Sequence, residues 1–141
     1  MATSGSSRVS VTSTIDLSFT WAATSQSVAN NTTTISWGMS FINNAQYDTD
    51  SRISNLGSSQ AWTVVIDGVT YTGTSLPFIN SNSATRQLAS GTAVVSHNSD
   101  GSKTFSYSFT QKIPSSALPS GGGSTAPKGT GTGTLNTIAR Q

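Results

Sequence analysis

Aromatic and hydroxyl side chains alternate along several stretches of this sequence, and a period of two restricts the chain to a β fold. In the clearest stretch, Phe105, Tyr107 and Phe109 alternate with Ser106 and Ser108. Successive side chains of a strand point to opposite faces of its sheet, so this strand has one aromatic face and one hydroxylic face. An aromatic face needs a second layer over it. The pattern therefore predicts an all-β fold with two antiparallel sheets packed as a β-sandwich, with about seven to eight strands.

Two further stretches show the same alternation. Apolar residues occupy the odd positions from Val9 to Ala23 except Ser13, which predicts one strand or two strands joined by a bend. The stretch from Thr33 to Phe41 predicts the strongest core strand, with Trp37 buried in its centre. Trp21 lies on the apolar side of its strand, and we expect it in the core as well.

A hairpin is predicted around Asp67 and Gly68, because Asp-Gly between two β-rich arms is the signal for a type I′ turn. Directly paired residues share a face of the sheet. A two-residue loop then places one set of side chains towards the core: Trp62, Val64, Ile66, Val69 and Tyr71. On this interpretation Trp62 and Tyr71 are core residues, unless the hairpin lies at a sheet edge and leaves them partly open.

A second turn is predicted between the strand from Leu88 to Val95 and the aromatic strand that begins near Phe105. Asn98 and Asp100 have side chains that bond nearby backbone, and Gly101 accepts a positive φ. We interpret this segment as strand, tight turn and strand, joined as a hairpin.

The last part of the chain contains three of the four prolines between residues 111 and 127, which predicts a long crossover connection. Thr then alternates with Gly129, Gly131 and Gly133 in an unusual final strand. The face that carries the glycines has no side chains, so another group must pack closely against its backbone. That group could belong to the opposite sheet or to a neighbouring subunit.

The length of 141 residues fits one domain. We expect residues 1–8 to be a flexible leader and residues 9–141 to form a single β-sandwich domain. The sequence has no apolar run long enough to span a membrane and no apolar core of a signal peptide near its start. Charged residues make up 9% of the chain, and the net charge of +2 is scattered, which argues against a nucleic-acid partner.

Residues 42–60 are the least regular part of the chain and contain the candidate binding residues. An exposed aromatic ring can stack on a sugar, while charged and amide groups fix its hydroxyls. These groups are Asn44, Tyr47, Asp50 and Arg52. Asp48 and Asp50 supply too few oxygens for calcium, so no metal site is predicted.

Catalytic chemistry finds little support in the composition. The chain has one His, no Cys and no Glu. His97 stands beside a predicted turn without a nucleophile elbow near it, and the five Asp residues do not suggest a facing pair. We therefore expect a protein that is not an enzyme and needs no cofactor.

Three segments resemble motifs of tail and baseplate proteins of long-tailed bacteriophages. They are residues 25–34 (SQSVANNTTT), residues 97–103 (HNSDGSK) and residues 135–140 (LNTIAR). Ala139 stands where the third motif has Pro. The resemblance covers roughly residues 15–140 and implies an immunoglobulin- or fibronectin-like sandwich in a virion.

Two functions follow as expectations from the resemblance and the polar surface. The first is a non-enzymatic virion module at the tail tip, baseplate or fibre that contributes to attachment to host-surface saccharide. The alternative is a purely structural virion or filament subunit, such as a decoration protein, that assembles through sheet edges. In both cases we expect a homo-oligomer or contacts with other virion subunits, in a particle protein made in the host cytoplasm without a signal peptide.

Overall fold

A computed structural model describes residues 3–12, 14–43, 59–75, 85–118 and 123–139. These residues form two antiparallel four-stranded sheets, which confirms the predicted β-sandwich. Sheet 1 has the strand order β1-β2-β3-β6, and sheet 2 has the order β5-β4-β7-β8. The strands are β1 (Ser4–Ser10), β2 (Ile15–Ser27), β3 (Thr32–Asn43), β4 (Gln60–Ile66), β5 (Val69–Ser75), β6 (Thr85–Ser96), β7 (Lys103–Gln111) and β8 (Lys128–Leu135). The only helix in the described residues is a 3₁₀ turn at Ser115–Ala117.

The core is a band of aromatic rings between the two sheets. Phe19 of β2 lies 4.7 Å from the ring of Tyr107 and 5.3 Å from that of Phe109, both on β7. Trp37 of β3 lies 5.7 Å from Trp62 of β4. The predicted burial of Trp37 is confirmed, since only 5% of this residue is exposed. Strand β2 therefore packs over β7, and β3 packs over β4.

Six of the aromatic residues on the inner faces lie directly opposite a glycine of the neighbouring strand. The pairs are Trp21 with Gly5, Trp37 with Gly91, Trp62 with Gly73, Phe105 with Gly133, Tyr107 with Gly131, and Phe109 with Gly129. A β-carbon built on any of these glycines would come within 3.0 Å of the paired side chain. The rings thus lie across glycine backbone, a cross-strand packing that larger residues would prevent.

These pairs explain the glycines of β8. The close approach predicted for residues 129–133 is made within the molecule, by Phe105, Tyr107 and Phe109 of the adjacent strand. At Gly133 the indole of Trp21, from the opposite sheet, also contributes. A neighbouring subunit is not needed to cover this face.

The predicted hairpin at Asp67 and Gly68 is confirmed. Their φ angles are 52° and 81°, as a type I′ turn requires, and the strand register is the predicted one. Trp62 and Tyr71 are only partly buried, because β5 is an edge strand of sheet 2. Val69 departs from the expectation that it faces the core, since it lies at the start of this edge strand and is 51% exposed.

The hairpin predicted across Asn98–Gly101 is wrong, although the turn itself is present. The two flanking strands belong to different sheets: β6 pairs with β3, while β7 pairs with β4 and β8. The connection is therefore an arch between the two layers. Turn chemistry is the same in a hairpin and in such an arch, and the partner of each strand is decided by the other strands of the sandwich.

In the N-terminal region one expectation is confirmed and another is not. The long alternation from Val9 is divided between two strands, the second of the two predicted arrangements, by a chain reversal in which the amides of Val11 and Thr12 both donate to the carbonyl of Ile15. Residues 4–8, expected to be part of a flexible leader, lie in β1 and pair with β2. These residues show no alternation of apolar side chains. The strand is held instead by its backbone pairing with β2 and by the packing of the Trp21 indole over Gly5.

Candidate functional site

The two ends of the sandwich have different constructions. At one end, here the loop end, β1, β3, β5 and β7 finish and β2, β4, β6 and β8 begin. At the opposite end, here the motif end, lie residues 28–31, 67–68, 97–102 and 136–139. The candidate saccharide residues belong to a connection that starts and finishes at the loop end.

Those candidates, Asn44, Tyr47, Asp50 and Arg52, lie outside the described residues, as do Asp48 and the rest of residues 44–58. The strands on either side are described. Strand β3 ends at Asn43 in sheet 1, and β4 begins at Gln60 in sheet 2. The connection that carries the candidates therefore leads from one sheet to the other.

A buried amide fixes the strand ends at the loop end. Gln111, the last residue of β7, is fully buried and its side-chain oxygen accepts a hydrogen bond of 2.9 Å from the hydroxyl of Ser75. Its side-chain nitrogen donates to the carbonyls of Lys112, at 2.9 Å, and Gln60, at 3.3 Å. The ends of β5, β7 and the start of β4 are joined through one side chain.

Gln111 was not identified from the sequence, although a signal exists. It continues the inward positions of Phe105, Tyr107 and Phe109, so a polar residue stands where the pattern calls for an apolar one. A buried amide is costly unless its donors and acceptor are used. Such a break in an aromatic alternation indicates a side chain that bonds to strand ends.

The three motifs that carry the phage resemblance meet at the motif end. Gln26, from the first motif, donates to the hydroxyl of Thr33 at 3.0 Å and to the carbonyl of Asn136, in the third motif, at 2.9 Å. The hydroxyl of Thr33 in turn lies 2.6 Å from Nε2 of His97, in the second motif. The two hydrogen bonds between motifs span 64 and 110 residues of the chain and unite the three segments in one cluster, here the motif cluster.

A β-bulge gives Gln26 its place in the motif cluster. The register of β2 with β3 shifts between Ala23 and Ser25, so no residue of β3 is paired with Thr24, although the hydroxyl of Thr24 donates to the carbonyl of Thr34. Because side chains alternate along a strand, one extra residue moves those that follow to the other face. Gln26 therefore pairs with Thr33 on the inner face of sheet 1. Without the bulge, the alternation that continues from Ala23 would place Gln26 on the outer face.

Both ring nitrogens of His97 are used within the fold. Nδ1 lies 2.7 Å from the carbonyl oxygen of Gly101, which can only accept, so Nδ1 donates. In the neutral ring Nε2 is then the acceptor of the Thr33 hydroxyl. An imidazole whose two nitrogens are occupied by structural partners is not free to act as a general base.

The predicted turn residues of the second motif have the geometry that their sequence indicates. Gly101 has a φ of 86°, and its amide donates to the carbonyl of Asn98 across the turn. The carboxylate of Asp100 accepts the amide of Ser102 at 2.9 Å. Asn31, itself at a φ of 55°, donates from its side chain to the carbonyl of Asn98 at 2.8 Å.

The outer faces of both sheets are covered by hydroxyl groups. On sheet 2 a shallow groove of about 350 Å³ passes over Gly131 and is bounded by side chains of β4, β7 and β8. On sheet 1 a second groove, of about 300 Å³, lies at Gly38 between Thr20 and Gln87. Among the described residues, none that lines either groove is acidic or basic.

In the described part of the chain, no three His, Cys, Asp or Glu side chains lie close enough together to hold a metal ion. None of its helices has the length and apolar character needed to cross a membrane. Neither models of protein families nor curated protein sequences match this chain.

Proposed function

We propose that this chain is a non-enzymatic module of a bacteriophage virion, at the tail tip, baseplate or fibre, which contributes to attachment to host-surface saccharide. The observation that supports this most is the motif cluster. The three segments that carry the phage resemblance are far apart in sequence, yet Gln26, Thr33, His97 and Asn136 join them through side-chain hydrogen bonds. Because the three segments are bonded to one another in the fold, their similarities to the phage motifs are better explained by one common structural module than by three separate coincidences.

The arrangement of the two ends supports the attachment role. The motif cluster and Gln111 secure the strands, while the connection containing the candidate saccharide residues joins β3 to β4 at the loop end. Binding residues are commonly found on loops that a rigid scaffold positions. A hydroxyl-rich surface with few charges matches neutral glycan, whose recognition depends on stacking and hydrogen bonds rather than on ion pairs.

The test is binding to bacterial cell-wall polysaccharide by Tyr47 variants. Tyr47→Ala removes the ring that would stack on a sugar, and we expect its affinity to fall by about tenfold, equivalent to about 1.4 kcal/mol. Tyr47→Phe keeps the ring and serves as the matched control, with an affinity close to that of the parent. Binding should change little with salt, because few charges take part. If Tyr47→Ala binds polysaccharide as well as the parent, the attachment role at this loop is wrong.

A second candidate is a purely structural virion or filament subunit. Its supporting observation is that the outer faces present Ser and Thr hydroxyls with few charges, a surface that allows close packing of neighbouring subunits. An assembly assay on a chain that lacks residues 1–14, or on the Gly131→Val variant, would not test this candidate. Each of these changes would disturb the fold itself, since β1 lies within residues 1–14 and a β-carbon on Gly131 would overlap the hydroxyl of Tyr107.

A further inference from the structure

The two lateral sides of the sandwich are not equivalent. On one side, edge strands β1 and β8 lie against each other, and the hydroxyl of Ser7 in β1 is hydrogen-bonded to that of Tyr107 beneath Gly131 of β8. On the other side, edge strands β5 and β6 make far fewer contacts with each other. The β1/β8 side is closed by the chain itself, whereas the β5/β6 side is open in the described residues.

Within the described residues, the open side has few of the features that protect sheet edges. An edge strand exposes unpaired backbone groups, and charged side chains or prolines usually prevent it from pairing with another chain. On the closed side β1 carries Arg8 and β8 carries Lys128. On the open side β5 has no charged residue and no proline, and β6 has only Arg86, next to its bulge at Leu88. Eight residues of β6, from 89 to 96, therefore contain neither a charged side chain nor a proline.

Exposed apolar surface gathers on the same side. Val69 of β5 is 51% exposed and Val94 of β6 is 63% exposed. Among the large hydrophobic residues that the structure describes, Val28 is exposed to a similar extent, and it lies in the turn between the central strands β2 and β3. Trp62 and Tyr71 are also only partly buried here. Apolar groups beside unpaired backbone indicate a surface that is covered by another strand.

We propose that a second copy of this chain pairs with the open side. Both sheets end there, so a two-fold axis beside the molecule brings β6 against its counterpart and β5 against its counterpart. One interface then extends both sheets into continuous eight-stranded layers, in the self-complementary manner of a two-fold dimer. That the chain assembles at all is taken from the second proposed function, the structural subunit. That assembly occurs at the β5/β6 side is inferred from the geometry of the sheet edges.

The distribution of charge favours a second copy as the partner. A two-fold axis brings the side chains closest to it near their own equivalents, so a charge beside the axis would be repelled by its copy. The paired parts of β5 and β6 carry no charge. In an antiparallel pair centred on residues 89–96, the two Arg86 side chains stand about 40 Å apart along the strands, at a rise of about 3.3 Å per residue. The edge strands of the closed side carry Arg8 and Lys128, so two copies of that side would bring positive charges to the shared interface.

The test is sedimentation equilibrium of the full chain from about 1 to about 500 µM, a range that covers weak and moderate dimers. We expect a dimer whose dissociation constant rises at least about tenfold in Val94→Lys and in Val69→Lys, because a charge on a pairing edge blocks strand addition. Val28→Lys is the matched control and should dimerise like the parent. Thermal melting confirms that each variant is folded.

Single-cysteine variants give a second measurement that does not weaken the interface. The native chain has no Cys, so any disulfide joins two copies. Thr92→Cys lies beside the expected axis, because a pair centred on residues 89–96 sets Thr92 opposite residue 93 of the other copy. Its equivalent is then about one residue away along the strand, within the Cα separation of about 4.4–6.8 Å that a disulfide needs. Thr92→Cys should therefore form a disulfide dimer. Thr20→Cys, on the same face but on central strand β2, should not.

A chain that stays monomeric over this range overturns the inference, and so does a dimer that is indifferent to both lysine variants. Either result leaves polysaccharide binding untouched, so the attachment role can stand when the dimer fails. Loss of polysaccharide binding in Tyr47→Ala alone, with dimerisation intact, supports both proposals independently.

Discussion

At the scale of single residues, one carbonyl group connects two of the motifs. The oxygen of Gly101 accepts Nδ1 of His97 at 2.7 Å and the amide of Ile138 at 2.9 Å. Glycine is required there for two reasons: its φ is 86°, and a β-carbon would overlap the carbonyl oxygen of Ile138. The adjacent turn residue Ser99 is exposed and has no positive φ.

This difference predicts unequal effects of the same substitution at the two positions. Gly101→Val should lower the free energy of unfolding by at least about 2 kcal/mol more than Ser99→Val, because left-handed backbone strain of about 1–2 kcal/mol adds to overpacking of about 1–3 kcal/mol. Chemical denaturation of the two variants measures the difference. Equal losses would show that Gly101 is not confined by the carbonyl of Ile138.

At the scale of elements, β8 shows how a strand with almost no apolar side chains joins a core. Gly129, Gly131 and Gly133 face inward beneath aromatic rings, while the Thr residues between them face outward. The apolar surface that this strand covers belongs to β7 and to Trp21. Its stability in the sheet therefore depends on the absence of side chains on one face.

A pair of valine substitutions on β8 tests this dependence. Gly133→Val gains about 1 kcal/mol from strand propensity and reduced chain entropy, but overpacking against Trp21 and Phe105 costs about 1–3 kcal/mol and more if the backbone moves. We expect a net loss of about 2 kcal/mol in denaturation. Thr132→Val, on the outer face of the same strand, is the control and should stay within about 0.5 kcal/mol of the parent. Similar stabilities of the two variants would contradict the ring-over-glycine packing.

At the scale of the whole molecule, the sandwich has two unlike ends and two unlike sides. The motif end is tied by hydrogen bonds among distant segments, and the loop end carries the connection with the saccharide candidates. One side is closed by β1 and β8, while in the described residues the other side ends in the edge strands β5 and β6, which make few contacts with each other.

Metal is not expected to contribute to the stability of this molecule. A bound Ca²⁺ would raise the melting temperature by mass action. Two carboxylates near residues 48–50 provide too few ligands for a site with six to eight oxygens. Melting with and without EDTA should therefore give the same temperature within about 1 °C. A clear decrease with EDTA, reversed by Ca²⁺ but not by Mg²⁺, would restore Asp48 and Asp50 as ligands.

Several features of this fold follow from local physics and were predictable. The alternation in β2, β3 and β7 indicates strands because side chains of a strand alternate between faces, and Asp67-Gly68 indicates a type I′ turn because both residues adopt positive φ. The burial of Trp37 follows from the same alternation. Each of these depends on a few neighbouring residues, so the sequence alone contains the information.

Other features were decided only by the tertiary structure. The turn at Asn98–Gly101 could not show that β6 and β7 lie in different sheets, because strand partners are chosen by long-range packing. Strand β1 could not be recognised, because backbone pairing and the Trp21 ring hold it rather than apolar side chains of its own. Gln26 reached the motif cluster only through a bulge, and Gln111 joined three strand ends only when these met. A local pattern determines which face a side chain takes, but the group that faces it comes from a distant part of the chain, and only folding brings the two together.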